Sequence, residues 1–389
     1  MCLSFCNCRS PEQLWAETVA LEAFITGSNT FTTNVHLKIT PNFDNFIISP
    51  FFVEVICVVA QKGSKYKTNL EIRTTLNLPS NLRNQEMCFK VLMPILVKSK
   101  LFDLCAVSKL YLCKTYTIRK NLRVLAKKIY YTDVESIDFA DKETAVNVIN
   151  TFLRTSTNDK IVDVVNVSDL FPDMKMLLLS AVFLQGHWLN PFQSRTINQN
   201  FFTTETQVIK VVMMETVGYF NCYESKEIRA RYLELRFEDE LLSMVVVLPF
   251  EKEGLEEVEQ QMDAIFACRQ FALDYVKVSL PKFFIDTSID FRTTLSEMGM
   301  KVPFSDQANF TGLVAEKDVF ITQVIQSSRI LVNEAGLDVE FLDNATKKSF
   351  KDVDVKAKVF CVDHPFFFYI KWKDLVVFTG RVKRPVLNL

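Results

Sequence analysis

The residues that could act as nucleophiles, general bases or metal ligands are few and scattered in this 389-residue chain. His36, His187 and His364 are its only histidines, and none has the H-E-x-x-H spacing of a zinc protease. No G-x-S-x-G motif and no phosphate-binding or dinucleotide-binding glycine motif occurs. The acidic run at 251–259 predicts a solvated helix face. We therefore expect neither a catalytic centre nor a metal or cofactor.

The cysteines also lack the spacing of a metal or redox site. There are ten, and no two form a C-x-x-C pair. Cys6 and Cys8, near the start, have no second pair and no nearby histidine to complete a zinc site. A chain of this length folds without disulfides, so mostly buried, reduced thiols are expected.

Three N-x-S/T sequons mark possible glycosylation sites, at Asn166, Asn309 and Asn344. Sequons also arise by chance, so for any single sequon an unmodified asparagine is favoured over a glycosylated one. The first ten residues lack the basic segment and the long apolar run of a secretory signal. The compartment is therefore left open between extracellular and cytoplasmic.

Composition describes a chain that folds around a large core. Hydrophobic residues make up 49%, there are 34 Phe, and Gly and Pro number only nine and twelve. The net charge of −1 argues against a nucleic-acid-binding protein, which would need a basic face. No stretch reaches the roughly 18 apolar residues of a membrane-spanning helix. We expect neither nucleic acid nor membrane as a partner.

Helices and strands alternate irregularly along the chain. Residues 144–153 have helical periodicity, with Asp141 as the expected cap. Residues 241–250 form a continuous apolar run that predicts a buried strand, and 276–280 alternate as a strand does. Residues 366–382 read as two strands around a polar turn. Because strands are not regularly followed by helices, we predict an α+β fold.

One polar segment does not fit this pattern. Residues 333–357 separate two apolar runs, and the segment contains a single glycine and no proline. Connections longer than about 12–15 residues are usually functional or disordered. The segment is therefore the strongest candidate for function.

Short motifs spread over nearly the whole chain resemble those of the serpin family. Each motif is weak alone, and their common order carries the resemblance. The matching residues are Ile48, Ser49, Pro50, Gly63, Thr68, Glu71, Ile72, Ile149, Asn150, Thr157, Lys160, Ile161, Phe183, Gly186, Trp188, Pro191, Phe192, Leu280, Pro281, Lys282, Phe283, Asn309, Phe310, Gly312, Glu334 and Gly336, followed by the C-terminal segments 363–368 and 378–385.

This resemblance implies a serpin fold with three β-sheets, about eight or nine helices and an exposed reactive-centre loop. The chain is then one domain, 1–389, with the loop at about 334–360. A serpin offers this loop as bait to a target protease, serine or cysteine, and has no catalytic residues of its own. After cleavage the hinge half of the loop inserts into the large sheet and distorts the bound enzyme. The resemblance also implies a monomer and, from the usual location of family members, an extracellular protein.

The family places the cleaved bond about sixteen residues after the hinge glutamate, Glu334. That spacing predicts cleavage between Phe350 and Lys351, which suits a chymotrypsin-like enzyme or a cysteine protease with an apolar subsite. Alternative positions are Lys347, Lys348 and Ser349. Cleavage after Lys348 would indicate a trypsin-like target.

The hinge departs from the run of small residues found in fast-inserting serpins. Its residues are Glu334, Gly336, Leu337, Asp338, Val339, Glu340, Phe341 and Asp343. In an inserted strand the large side chains of Leu337, Val339 and Phe341 would face one side, together with Asp343. Extra volume in a packed core costs roughly 1–3 kcal/mol per site. A buried, unpaired carboxylate costs more. We expect insertion to be slow or to stop near Asp343, and a glycan on Asn344 would oppose it further.

The region beneath the loop also departs from the family. The breach and shutter positions are Trp188, Ser49, Phe52, Ser180 and Gln326. Trp188 and Ser49 match the family. Phe52 replaces a serine, Ser180 an asparagine, and Gln326 a histidine. These replacements indicate either repacking with little consequence or a stiffer sheet, and the stiffer sheet is slightly favoured.

These features support a protease inhibitor that works either as a suicide trap or by reversible blocking with a rigid loop. The alternative is a non-inhibitory serpin with a carrier, storage or chaperone-like role, which the unsuitable hinge supports. An intracellular inhibitor of cysteine proteases would fit the missing signal and the free thiols.

Overall fold

The computed structural model describes residues 11–100, 102–193, 196–267, 271–339 and 357–387. Nine α-helices lie in these ranges: α1 (Pro11–Ile39), α2 (Pro50–Lys62), α3 (Tyr66–Thr75), α4 (Leu82–Val97), α5 (Lys120–Tyr130), α6 (Lys142–Ser156), α7 (Leu255–Glu259), α8 (Met262–Phe266) and α9 (Arg292–Glu297). The strands are β1 (Asn45–Ile48), β2 (Asp103–Cys113), β3 (Thr132–Ile137), β4 (Met176–His187), β5 (Ile197–Phe202), β6 (Val208–Ser225), β7 (Ala230–Arg236), β8 (Leu242–Pro249), β9 (Ala272–Pro281), β10 (Phe283–Asp290), β11 (Ile321–Val332), β12 (Gly336–Leu337), β13 (Lys358–Cys361), β14 (Phe366–Trp372) and β15 (Leu375–Val382).

The predicted elements form where the sequence pattern places them. Residues 144–153 lie inside α6, and Oδ1 of Asp141 accepts a hydrogen bond from Thr144 N at 3.2 Å, as a helix cap does. All eight residues of β8 are buried, which explains why the strand is apolar without alternation. Lys373 and Asp374 form the turn between β14 and β15. The α+β prediction is confirmed.

A six-stranded sheet has the order β10-β11-β12-β4-β2-β3. Alternate side chains of β4 face opposite sides. Leu178 and Val182 join the core that contains α2, whereas Leu177 and Leu179 join the cluster formed by the apolar stripe of α6. The sheet is therefore covered on both faces, and a strand entering it must fit between two packed layers.

A nine-stranded network has the order β1-β15-β14-β8-β7-β6-β9-β13, with β5 also paired to β6. The long β6 belongs to two groups of strands. Residues 213–222 pair with β9, while 221–225 pair with β7. Together with the six-stranded sheet, this arrangement makes three groups of strands, as the resemblance implies.

The acidic run at 251–259 differs from its prediction at one end. The side chain of Glu259 is fully buried and contacts His36 Nε2 at 3.1 Å and Arg381 Nη1 at 2.9 Å. Burial lowers the pKa of His36, although its hydrogen bond to Glu259 opposes this effect. Glu259 therefore belongs to a buried network that joins α1, α7 and β15, and the prediction of a solvated face was wrong for it.

Six cysteines in the described ranges are free thiols. Cys57 and Cys88 are buried, while Cys105, Cys113, Cys222 and Cys361 are half-buried. Burial thus holds for only two of these six. Over the same ranges no cluster of three or more His, Cys, Asp or Glu side chains could hold a metal ion. No described helix is long and apolar enough to cross a membrane.

Candidate functional site

The start of the polar segment lies inside the six-stranded sheet. Its two-residue strand β12 is antiparallel to both neighbours: Leu337 lies opposite Val332 of β11 and Gly186 of β4, and Gly336 lies opposite His187. Leu337 is fully buried in the core. Further along, β11 and β4 pair directly and in parallel, from Met176 to Phe183 on β4. The sheet is therefore opened only at the end nearest the hinge.

Asn333 organises the turn that carries the chain from β11 into β12. Its Oδ1 accepts hydrogen bonds from Ala335 N and Gly336 N, both at 3.0 Å. Its Nδ2 donates to Val339 O at 2.6 Å. An asparagine side chain that satisfies the backbone in this way fixes a tight turn. The hinge thus has a defined conformation as far as Val339.

Trp188, the residue after β4, holds the same turn. Its indole Nε1 donates to Asn333 O at 3.0 Å, and its backbone N donates to Ala335 O at 2.9 Å. The ring stacks on Phe237 at 4.7 Å between centroids. The sequence placed Trp188 among the breach and shutter positions that match the family. The structure adds two direct hydrogen bonds to the turn.

Gly336 lies where only glycine fits. A Cβ built on it would be 1.9 Å from Gly186 O and 2.9 Å from His187 Cα. Both neighbours are backbone atoms of β4, so neither can move aside as a flexible side chain does. The close approach of the two strands explains this glycine.

Two acidic side chains of the hinge are each paired with a lysine from another element. Glu334 contacts Lys282 at 2.5 Å, and Asp338 contacts Lys160 at 3.0 Å. Both carboxylates are buried, with side-chain exposures of 5% and 6%. Gln185 Nε2 also donates to Asp338 O at 2.7 Å. Buried charges require such partners, and these contacts fix the hinge to the sheet and to the segment after α6.

Asp338 also ends the inserted strand. Its φ of +46° lies in the left-handed region, which breaks the extended conformation. Its backbone N still donates to Leu331 O at 2.8 Å. Beyond Val339, the predicted hinge and loop residues lie outside the described residues: Glu340, Phe341, Asp343, Lys347, Lys348, Ser349, Phe350 and Lys351.

The shutter residues meet where α2 begins beneath β11 and β4. Gln326 Oε1 accepts from Ser49 N, and its Nε2 donates to Ser49 O, both at 2.8 Å. Ser180 lies opposite Gln326 on β4 and is fully buried. Its hydroxyl has no hydrogen-bond partner in the described part of the chain. Phe52 is fully buried, with its ring 5.2 Å from that of Phe51. Gln326 therefore fastens α2 to the sheet, and Ser180 leaves polar capacity unused.

Two sequon asparagines differ in accessibility. Asn166 is exposed beside a short 3₁₀ helix. Asn309 is half-buried, and its Oδ1 accepts hydrogen bonds from Thr311 N and Thr311 Oγ1 at 3.2 and 2.8 Å. Asn344 lies outside the described residues. Of the two that are described, Asn166 is the better placed acceptor for a glycan.

Sequence reasoning gave no role at the hinge to Asn333, Gln185, Lys160 or Lys282. The two lysines were among the matching residues, but their distance from the segment in sequence hid their function. A usable signal existed, because Glu334 and Asp338 flank a strand-like stretch and need cations if that stretch is buried.

Comparisons with known proteins agree with this architecture. The family model described as Serpin (serine protease inhibitor) matches residues 26–385. A serpin-like protein of Thermococcus kodakarensis is 30% identical over 92% of this chain and 84% of its own length. Antichymotrypsin-2 of Bombyx mori is 25% identical over 91% of this chain and 96% of its own length. Among solved structures, Serpin48 of Tenebrio molitor has a TM-score of 0.88 and 30% identity, covering 94% of this chain and 99% of that one. The chain belongs to the serpin family.

Proposed function

We propose that this protein inhibits a protease by offering the reactive-centre loop, at about 334–360, as bait, with Phe350–Lys351 as the bond attacked. The carrying observation is β12, two residues of the hinge already seated between β11 and β4. The position of this strand supports insertion at this point, and its pairing supplies the register for a longer strand. A Phe before the cleaved bond favours a chymotrypsin-like enzyme or a cysteine protease with an apolar subsite. Lys347, Lys348 and Ser349 remain the alternatives.

Further insertion must overcome the contacts that hold the hinge now. The direct pairing of β11 with β4, from Met176 to Phe183 on the β4 side, has to separate. Asp338 has to leave its left-handed conformation and become extended. Each inserted residue then gains hydrogen bonds on both sides, which supplies the driving force. The energy is regained only after the existing ladder opens, so insertion is slow.

The register of β12 supports the proposal that Asp343 is the residue that opposes insertion most. Leu337 lies opposite Gly186 and Val332, so an extended continuation brings Asp343 level with Ser180 and Gln326. These two residues already lie opposite each other in the sheet. They face the buried side next to Ser49, where a carboxylate loses its hydration. We propose that insertion slows, or halts, at this point.

Slow insertion favours reversible blocking over the suicide trap. A trap works only if the loop inserts before the acyl-enzyme is hydrolysed. A hinge fixed by Glu334–Lys282 and Asp338–Lys160 delays that step and keeps the base of the loop rigid. A rigid loop loses less conformational entropy when a protease binds it, which increases affinity.

The second candidate is a non-inhibitory serpin with a carrier, storage or chaperone-like role. The observation that favours it is the same anchored hinge, since a loop that is cleaved and released without inserting is only a substrate. The two candidates differ in what happens to the enzyme. An inhibitor leaves it blocked, whereas a substrate leaves it fully active.

The deciding experiment mixes the protein with chymotrypsin, trypsin or papain and follows enzyme activity beside a denaturing gel. Reversible blocking predicts lost activity with intact inhibitor and no detergent-resistant complex. A resistant band of summed mass would indicate a trap and overturn the slow-insertion proposal. Cleavage of the loop with full enzyme activity would favour the non-inhibitory role.

A further inference from the structure

Three of the most exposed apolar side chains in the described chain lie together on one sheet face. Tyr219 of β6, Leu273 of β9 and Val359 of β13 are 59%, 67% and 63% exposed. Their half-buried neighbours Val217 and Tyr275 complete the set, which we call the outer patch. Cross-strand pairs bring the five together, since Tyr219 lies opposite Tyr275, and Lys277 lies between Val217 and Val359. The two tyrosine rings are 5.2 Å apart.

The outer patch lies on the outward face of its strands. Side chains alternate along each strand, and the other set, including Phe220, Val276, Val278 and Phe360, is buried in the main core. No described element therefore covers the patch. A soluble protein rarely exposes clustered large apolar side chains unless they contact a partner.

Several described charges beside the outer patch are already paired within the protein. Lys277 contacts Glu215 at 3.1 Å, and Lys358 contacts Asp274 at 2.8 Å. Asn221 donates to Glu234 at 2.7 Å. Among the described residues, a partner therefore meets an apolar surface flanked by paired charges, which fits an apolar and largely uncharged partner surface.

The strand topology places the outer patch beside the base of the reactive loop. β13 is the first strand after residue 356, and it runs parallel to β9 with Lys358 opposite Val276. The chain therefore enters β13 beside the end of β9 at which Leu273 and Tyr275 lie. From Lys351 to Lys358 an extended chain spans at most about 25 Å. A protease domain with a radius of gyration of about 17 Å is broad enough to hold the loop and reach the patch.

The size of the outer patch indicates the kind of contact it makes. Five side chains, partly exposed, provide on the order of 400 Å². An independent interface buries about 800 Å² on each partner. The patch is therefore too small to hold a second copy of the chain stably, but it is large enough to strengthen the grip on a molecule that the loop already binds.

We propose that the outer patch is a second contact for the target protease, which touches it while the loop occupies the active site. The proposal rests on the proposed inhibitory function for the identity of the partner. It assigns Tyr219 and Leu273 a role in selecting the enzyme. A protease with an apolar surface beside its active site cleaves the loop, or is blocked by it, faster than its preference for the loop sequence alone allows.

The test compares two matched double variants. Tyr219→Ser with Leu273→Ser removes the centre of the outer patch. Tyr66→Ser with Leu70→Ser removes the same residue types from α3, where Tyr66 and Leu70 are 81% and 47% exposed. For chymotrypsin, trypsin and papain, the second-order rate constant is measured for enzyme blocking and for loop cleavage. We expect the patch variant to be about tenfold slower with at least one enzyme, and the α3 variant to equal the unaltered protein.

Two further measurements complete the design: the salt dependence of the rate constants, and sedimentation to detect a dimer. Because the contact is apolar, the difference should persist from about 0.1 M to about 1 M salt. Equal rates for both double variants would overturn the outer patch while leaving inhibition intact. Slower cleavage of the patch variant without blocking by any form would support the patch and reject the inhibitory function. If none of the enzymes attacks the loop, both proposals fail. A dimer lost only in the patch variant would assign the surface to a second copy instead.

Discussion

Asp338 of the hinge and Lys160, just after α6, are joined by an ion pair of 3.0 Å. The carboxylate is nearly buried, whereas the lysine side chain is 35% exposed. The pair connects the residue that follows β12 to the chain that follows α6, the helix packed on this sheet. Losing the cation would leave a buried, unpaired charge, which is a stronger perturbation than losing a surface ion pair.

Lys160→Met should therefore release the hinge. The substitution keeps the aliphatic stem and removes the charge, so that Asp338 gains by moving into water. We expect amide exchange at Leu337 and Asp338 to accelerate by at least about tenfold, equivalent to about 1.4 kcal/mol. Lys127→Met is the matched control, because Lys127 pairs with Asp133 at 2.8 Å on the exposed surface. Unchanged exchange in Lys160→Met would show that the pair does not hold the hinge.

Gly336→Ala should expel β12 from the sheet. A Cβ at this position would overlap Gly186 O at 1.9 Å, and neither strand can retreat without breaking its pairing. Trp188, which bonds the turn through Nε1, would lose that partner and change its fluorescence. Gly218→Ala is the control, since a Cβ there meets nothing closer than 3.5 Å. If Gly336→Ala left both the fluorescence and the exchange of Leu337 unchanged, the tight approach of the strands would be contradicted.

The sequence predicted the secondary-structure elements better than it predicted the contacts between them. Long apolar stretches such as β8 and the capped helix α6 carry their own signal, because burial and capping are local properties. The family motifs then placed the hinge. The pairing of Asp338 with Lys160 and of His36 with Glu259 joins residues far apart in the chain, and no periodicity encodes such distances. Glu259 illustrates the limit, since its run is acidic enough to suggest a solvated face and only the fold brings Arg381 beside it.

Glu54→Gln should make the stability of the protein less sensitive to pH. Burial raises the pKa of Glu54 to about 8, against the lowering effect of its hydrogen bond from Ser28. The folded protein keeps this carboxyl protonated while the unfolded chain loses the proton above its ordinary pKa of 4.5. The contribution of Glu54 to the free energy of unfolding is therefore fully present below about pH 4.5. As pH rises, this contribution falls by up to about 1.4 kcal/mol per pH unit until about pH 8.

The measurement is the melting temperature from pH 5 to pH 9. A glutamine has no proton to lose, so the melting temperature of the variant should rise relative to that of the unaltered protein as pH increases. Above about pH 8 the difference between the two melting temperatures should stay constant. Glu22→Gln, an exposed position on α1, is the control and should follow the unaltered protein. Parallel curves for Glu54→Gln and the unaltered protein would mean that Glu54 does not titrate in this range.

Asp343 and Ser180 should be coupled when the cleaved loop inserts. The register of β12 brings Asp343 level with Ser180, whose buried hydroxyl has no partner in the described chain. Asp343→Ala removes the buried carboxylate and should speed insertion by about tenfold or more, followed as the gain in melting temperature after cleavage. Ser180→Ala should slow insertion of the unaltered loop, because the hydroxyl is a donor for that carboxylate, and it should have no effect once Asp343 is alanine. Ser108→Ala, the next serine in the same row, is the control. Purely additive effects of Asp343→Ala and Ser180→Ala on the insertion rate would contradict the register.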